Sequence, residues 1–333
     1  MPARSTGIKS GSAAADELIR IGCLAPPKTN EELLIPISLI KRLPRASLYT
    51  AAVAALDRTA RRTAPDSESA RTALSALRQH GYVNLGPILE LGDVPERIGA
   101  AFDQGQAQHE GSTRFYLKHP LTFAPRIAGW LQHGVVNQII KSYLGDGAIY
   151  DRCLVWRIPA SASERKTSAV WHHDWCGHRL KLFVLMHDVT EEGRPTQYLR
   201  GSHRGAWRWM DYELSRFEDS TVEGKGQQIV KLVGQRGDAI LVDTNGLHRA
   251  TGEGGRQARD IVCLEYSDRR KSDWLARHGF EIGVKQDEIP AELDISATLI
   301  AKDRLRDSTG ALIYGSVPQL EREPFISPSA ASA

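Results

Sequence analysis

The chain has 333 residues, of which 41% are hydrophobic and 25% are charged. These proportions are typical of a globular protein with enough apolar material for one large core or two smaller ones. The formal net charge is only +3, which argues against nucleic acid and against an anionic membrane surface as partners.

The cysteine pattern indicates a reducing compartment, and the hydropathy pattern shows no candidate membrane span. The cysteines show no CxxC pairing, which argues against a zinc ribbon and against a disulfide framework. No apolar run approaches the roughly 18–20 residues needed to cross a bilayer. The N-terminus is small and polar, unlike a signal peptide. We therefore expect a cytoplasmic protein.

The first half of the chain carries mainly helical patterns. Residues 1–30 are rich in Ala, Ser, Gly and Pro, and we expect them to be flexible. A short strand is predicted at 82–85, and a break at Gly134 within the last helix. Helices are predicted at 47–62, 67–80, 94–104 and 124–144.

From about residue 149 the hydrophobic period changes to that of β-strands. Many short strands with few helices between them favour a sandwich or barrel over a parallel sheet. We expect one domain over residues 31–270, helical to about 148, with 271–333 packed on it as an extension that has loose final residues. The predicted strands are 153–158, 168–172, 180–189, 196–199, 228–233, 238–242 and 260–266.

The stretch WHHDWCGH at 171–178 raises the possibility of a metal site. Side chains two apart in a strand share a face, whereas neighbours point to opposite faces. An extended backbone here puts His172 and Asp174 on one face and turns His173 away. Taken alone, this short motif is equally consistent with a polar, solvent-exposed strand end.

A second stretch, residues 238–266, supplies possible partners. An apolar strand ends in a turn containing Asn245 and Gly246, and His248 follows. Two histidines and one carboxylate form the facial triad of non-haem Fe(II) oxygenases, which leaves coordination positions open. Arg259 comes eleven residues after His248, on the next predicted strand, and a guanidinium fork suits a bidentate grip on a carboxylate.

The ordered set resembles the phytanoyl-CoA dioxygenase family of Fe(II)/2-oxoglutarate-dependent oxygenases. The resemblance covers about residues 70–268 and is specific as a set. It rests on LSALRQHGYVNL (74–85), WHHD (171–174), HDVTEEGRPTQYLRGSH (187–203) and GLHRATGEGGRQARDIVCLEY (246–266).

The resemblance implies a mainly β fold with flanking helices, a double-stranded β-helix of the jelly-roll, cupin-like kind. It implies that His172, Asp174 and His248 hold Fe(II) and that Arg259 pairs with the distal carboxylate of 2-oxoglutarate. The implied activity uses O₂ to oxidise, most simply to hydroxylate, an unactivated C–H bond, with 2-oxoglutarate converted to succinate and CO₂.

Some positions depart from the family pattern. Arg200 stands where the family often has proline, before Gly201. Ala250 stands where a hydroxyl residue often helps to bind the cosubstrate, and the adjacent Thr251 could take that part. Arg157 lies where the family often places another cosubstrate contact; a substrate contact or a structural role is the alternative.

The substrate is expected to be a small molecule bound by variable loops, here about 105–122 and 200–227. The basic bias of the candidate lining residues favours an acidic substrate. These candidates are Tyr116, Lys118, Arg179, Arg200 and Trp207.

Two alternatives remain open from the sequence. One is an iron enzyme of the same fold that does not use 2-oxoglutarate, against which Arg259 argues. The other is a non-catalytic barrel used as a binding module, which the complete triad disfavours.

Overall fold

The computed structural model describes residues 60–105, 108–110, 114–117, 119–160, 169–174, 179–204, 216–250, 257–270, 272–273, 284–285 and 288–306. The segment 1–30 and most of the predicted helix 47–62 lie outside these ranges. Residues 60–62 are described and are not helical.

Helix α1 (Glu68–His80) shows how local sequence fixes the helical part. The Ser67 hydroxyl accepts a hydrogen bond from the backbone of Ala70 and caps the first turn, and Gly81 ends the helix at φ +85°. Its buried face includes Leu74 and Leu77. The other helices are α2 (Val94–Asp103), α3 (Pro120–Phe123), α4 (Pro125–Trp130), α5 (Gly134–Leu144) and α6 (Asp219–Glu223).

The predicted helix 124–144 is two helices, α4 and α5, separated by residues 131–133. His133 is extended, and its ring nitrogen accepts a hydrogen bond from the backbone of Val136 at the start of α5. The break predicted at Gly134 is therefore confirmed.

Within the described ranges, the larger sheet has seven strands in the order β1-β10-β6-β12-β4-β3-β2. All of its neighbouring strands run antiparallel. These strands are β1 (Tyr82–Asn84), β2 (Gln108–Glu110), β3 (Arg114–Tyr116), β4 (Ala148–Ile158), β6 (Arg179–Leu185), β10 (Ala239–Asp243) and β12 (Arg259–Asp268).

The smaller sheet has five described strands in the order β8-β5-β11-β7-β9. These strands are β5 (Trp171–His172), β7 (Thr196–Leu199), β8 (Arg216–Phe217), β9 (Ile229–Leu232) and β11 (His248–Ala250). A separate parallel pair consists of β13 (Val284–Lys285) and β14 (Leu305–Arg306).

The predicted strands differ from the observed ones mainly at their ends. β4 begins at Ala148, five residues earlier than predicted. The predicted strand 180–189 ends at Leu185, although Val189 still forms an isolated bridge to Gly234. Of the predicted strand 168–172, the described residues in strand conformation are Trp171 and His172.

Alternation along the larger sheet divides the core in two. On β12, Val262 and Leu264 face the helices and join their apolar cluster, whereas Ile261 and Cys263 face the interior between the sheets. The helix-side cluster also includes Leu299, which follows β12 in the chain. Within the described residues, no helix is long and apolar enough to cross a membrane.

Candidate metal centre

Pairing between β5 and β11 brings two histidines together. The strands are antiparallel, and His172 lies directly opposite His248 in their register. Residues opposite each other in a sheet place their side chains on the same face. The two imidazole rings accordingly lie 4.4 Å apart, centroid to centroid.

Asp174 completes the group. Its Oδ1 atom lies 4.0 Å from His172 Nε2 and 3.8 Å from His248 Nε2. These distances are too long for hydrogen bonds, yet one ligand atom from each residue lies within 4.8 Å of the other two, so a single metal ion could contact all three. The backbone N–H of Asp174 donates to the carbonyl of Thr244 at 2.8 Å, which fixes the carboxylate beside the end of β10.

The hydrogen bonds of both histidines suit metal ligation. His172 Nδ1 donates to the carbonyl of Val170 at 2.8 Å, and His248 Nδ1 donates to the carbonyl of Gly246 at 2.9 Å. A neutral imidazole that donates from Nδ1 carries its acceptor lone pair on Nε2. Both Nε2 atoms face Asp174, so the donor set fits a 2-His-1-carboxylate iron site.

His173 is not part of this group. It is 1% exposed, its Nδ1 hydrogen-bonds to the carbonyl of Asp174 at 2.8 Å, and its ring lies 6.4 Å from that of Phe217. Phe217 belongs to β8, on the other side of β5 from β11. The strand-alternation prediction that His173 turns away therefore agrees with the geometry.

The turn at residues 243–248 is fixed by contacts from outside it. The Tyr198 hydroxyl donates to the carbonyl of Asp243 at 2.9 Å, and Ser202 Oγ accepts from the backbone of Leu247 at 2.8 Å. A Cβ atom on Gly246 would lie 1.8 Å from the Tyr198 oxygen, so this position requires glycine. The Gly-Ser-His stretch thus helps to position His248, the third residue of the group, through Ser202.

Five charged residues form an interior ion cluster that sequence reasoning missed. Lys181 Nζ lies 2.7 Å from Asp174 Oδ2 and 3.4 Å from Glu265 Oε1. Glu265 also pairs with Arg152, at 2.6 Å, and with Arg179. The pattern Arg179-x-Lys181 on β6 put two cations on one face, but only the register of β6 with β12 shows that Glu265 lies opposite Lys181.

The members of the interior ion cluster hold one another in the ionised state. Burial alone would raise the pKa of the Asp174 carboxyl, but Lys181 and then His248 hold it well below its usual range. Burial acts against Glu265 in the same way, and the three cations around it lower its pKa well below the usual value. The pKa of Lys181 is raised, because Asp174 and Glu265 outweigh the opposing effect of burial.

Arg259 faces the same interior between the sheets. It is 3% exposed, lies on the same face of β12 as Ile261, and its Nη1 donates to Thr196 Oγ1 at 3.1 Å. Thr196 on β7 shares a face with Tyr198, which is opposite His248. The arginine and the histidines therefore face one enclosed region.

Two predicted site residues lie elsewhere. Arg157 faces the helices, where Nε and Nη2 each lie 2.7 Å from the Asp260 carboxylate and Nη1 donates to Asp103. This network of ion pairs among three residues supports the structural role for Arg157 over a contact with the cosubstrate. Arg200 is also outside the barrel interior, bonded to His80 and Gln228, which contradicts its prediction as a substrate-lining residue.

The remaining predicted residues divide into two groups. Arg179 lies in the interior ion cluster, and Tyr116 is half-buried, opposite Trp156 on the interior face, with ring centroids 6.3 Å apart. Lys118, Trp207 and Thr251 lie outside the described residues.

Comparison with solved structures identifies the architecture. EctD from S. alaskensis with bound Fe has a TM-score of 0.50 and 18% identity, covering 78% of this chain and 94% of that one. The fold is a double-stranded β-helix. The predicted mainly β, jelly-roll class with flanking helices is confirmed.

Two further structures are similar at lower TM-scores. The epimerase SnoN in complex with Fe³⁺, alpha ketoglutarate and nogalamycin RO has a TM-score of 0.45 and 17% identity, covering 60% of this chain and 84% of that one. AviO1 from Streptomyces viridochromogenes Tue57 has a TM-score of 0.42 and 18% identity, covering 59% and 94%. No family model and no curated protein sequence matches the chain.

The histidine pair gives a direct test of the strand geometry. We expect His172→Ala to weaken Mn(II) or Fe(II) binding by more than about 100-fold, since even groups that only orient a ligand are worth about 10–100-fold. His173→Ala should retain metal affinity within about threefold, because its ring lies outside the group. Anaerobic calorimetric titration measures both, and equal losses in two folded variants would contradict the assignment.

The tight turn before His248 gives a second test. Gly246→Ala should weaken metal binding about 10–100-fold, because the added methyl group must displace Tyr198 or the turn that carries His248. Gly129→Ala is the matched control: nothing lies within 4 Å of its added Cβ, and alanine favours the helix by about 0.5–1 kcal/mol. Unchanged metal affinity in Gly246→Ala would show that the turn does not set the histidine's position.

Proposed function

We propose that the protein is an Fe(II)- and 2-oxoglutarate-dependent oxygenase of the phytanoyl-CoA dioxygenase type. Its reaction would oxidise, most simply hydroxylate, an unactivated C–H bond of a small molecule, with release of succinate and CO₂. The observation that carries this proposal is the group formed by His172, Asp174 and His248, in which both imidazole Nε2 atoms face one carboxylate oxygen.

The three residues would hold the metal on one side and leave coordination positions open on the other. Ferrous iron together with 2-oxoglutarate and O₂ would supply the oxidising chemistry. The protein's own contribution is to fix the ligands. Backbone carbonyls hold both histidine tautomers, and strand pairing fixes the spacing of the rings.

Arg259 and Thr196 are suited to bind the far carboxylate of the cosubstrate. The guanidinium is buried, and Thr196 already accepts one of its N–H groups. A buried cation gains most from a carboxylate that it grips with two parallel hydrogen bonds. We propose that Thr196 supplies the hydroxyl for which the sequence had offered Thr251.

The substrate is proposed to carry an acidic group. Arg152 and Arg179 both pair with Glu265, and their side chains stay partly exposed on the same interior face as the metal group. Two neighbouring guanidinium groups place positive charge on this interior face, which suits an anionic substrate group. Tyr116 beside Trp156 offers an apolar, aromatic surface for the rest of the molecule.

A cytoplasmic location is part of the proposal. Cys153 and Cys263 are free thiols, as expected in a reducing compartment. Neither is near enough to the metal group to belong to it, within the residues described.

Anaerobic titration tests the proposal. Adding Fe(II) and then 2-oxoglutarate should give a weak visible charge-transfer band, and a metabolite screen for succinate release should then reveal the substrate. Bound iron without the band would favour an iron enzyme that does not use 2-oxoglutarate. Failure to bind iron would favour a non-catalytic barrel.

Arg259→Ala should raise the Kd for 2-oxoglutarate by about 10–100-fold, because hydrogen bonds to charged groups are worth about 1.5–3 kcal/mol each. Arg200→Ala is a matched control, since Arg200 lies outside the interior and bonds to His80 and Gln228. Titration of the charge-transfer band measures both affinities. Equal affinities in the two variants would remove Arg259 from the site.

A further inference from the structure

Lys181 contacts the oxygen of Asp174 that the histidines do not face. Oδ1 lies 4.0 and 3.8 Å from the two Nε2 atoms, whereas Oδ2 lies 2.7 Å from Lys181 Nζ. The two oxygens of one carboxylate therefore have different partners. If Oδ2 stays with Lys181, only Oδ1 is available to a metal ion.

We propose that Lys181 is a positioning residue that makes Asp174 a one-oxygen metal ligand and so keeps three coordination positions open. The inference rests on the proposed function. A carboxylate can bind a metal through one or both of its oxygens. The second mode would use one more position, and a chelating 2-oxoglutarate together with O₂ needs three.

The ammonium group of Lys181 is held in place from both sides. Lys181 lies in the middle of the larger sheet, with β10 on one side and β12 on the other, opposite Val242 and Glu265. Glu265 Oε1 is its second carboxylate partner, at 3.4 Å. Because Glu265 is 1% exposed and on a central strand, it anchors the lysine and limits its freedom to leave Asp174.

Glu265 does not depend on Lys181 for its own compensation. Arg152 and Arg179 both pair with it, so removal of the lysine charge leaves this buried carboxylate with two cations. Buried ion pairs are costly to break when one partner is left alone; Glu265 keeps two partners, and Asp174, which loses its ion pair with Lys181, still lies beside His172 and His248. A variant at Lys181 is therefore expected to fold.

A purely structural lysine and a positioning lysine predict different results. Loss of a structural contact would weaken metal binding and cosubstrate binding together. Loss of the positioning contact would leave all three ligands in place and free Oδ2, so metal binding persists while a position needed by 2-oxoglutarate is taken. The ratio of the two affinities distinguishes the roles.

The test uses Lys181→Met in the full chain under anaerobic conditions. Calorimetry should give a Kd for Fe(II) no more than about threefold weaker than that of the unsubstituted protein, whereas the Kd for 2-oxoglutarate on the iron-loaded variant, read from the charge-transfer band, should rise at least about tenfold. Lys181→Arg keeps a charged donor and should restore most of the cosubstrate affinity.

Lys231→Met is the matched control, because Lys231 forms an exposed pair with Glu191. Unchanged 2-oxoglutarate affinity in Lys181→Met would overturn the inference, as would parallel loss of both affinities. If Lys181→Met does not fold, Lys181→Gln is judged by the same ratio. Absence of the band in the unsubstituted protein would overturn the proposed function and this inference with it, whereas a band that is equal in both proteins would overturn this inference alone.

Discussion

The register between β5 and β11 is the constraint on which the site depends. His172 faces His248 only because these two residues are paired across the strands. A slip of one residue would exchange the faces of the strand and bring His173 to the metal side. The short β5 cannot set this register by itself. Contacts on both sides do so: Asp174 bonds to Thr244, and the turn before His248 is held by Tyr198 and Ser202.

Charge balance is the second condition. The barrel interior buries the carboxylates of Asp174 and Glu265, and isolated buried charges are strongly unfavourable. Lys181 lies between the two acids, and Arg152 and Arg179 complete the interior ion cluster. The same ions that make burial possible orient the metal carboxylate. Folding and ligand geometry are therefore coupled at Asp174.

Local pattern was enough to predict much of this structure. The helix predicted at 67–80, the break at Gly134 and the strand at residues 196–199 all follow from patterns among neighbouring residues. Strand alternation distinguished His172 from His173, because consecutive side chains in a strand point to opposite faces. Spacing then linked His248 to Arg259, which begins β12.

What the sequence could not predict are contacts between distant strands. Lys181 contacts Asp174 across the space between the two sheets and Glu265 across the β6–β12 pair, and no short motif predicts either contact. Arg157 and Arg200 are basic residues near the motifs, yet one faces the helices and the other the outer surface. Thr196, on β7, accepts a hydrogen bond from Arg259. Each of these outcomes depends on which face of the barrel a side chain takes after closure.

The metal assignment can be tested in a crystal of the full chain grown anaerobically with Fe(II), with anomalous data collected at the iron edge. We expect one iron peak bonded to His172 Nε2, His248 Nε2 and Asp174 Oδ1. An iron ion bound by His173, or bound away from these strands, would contradict it.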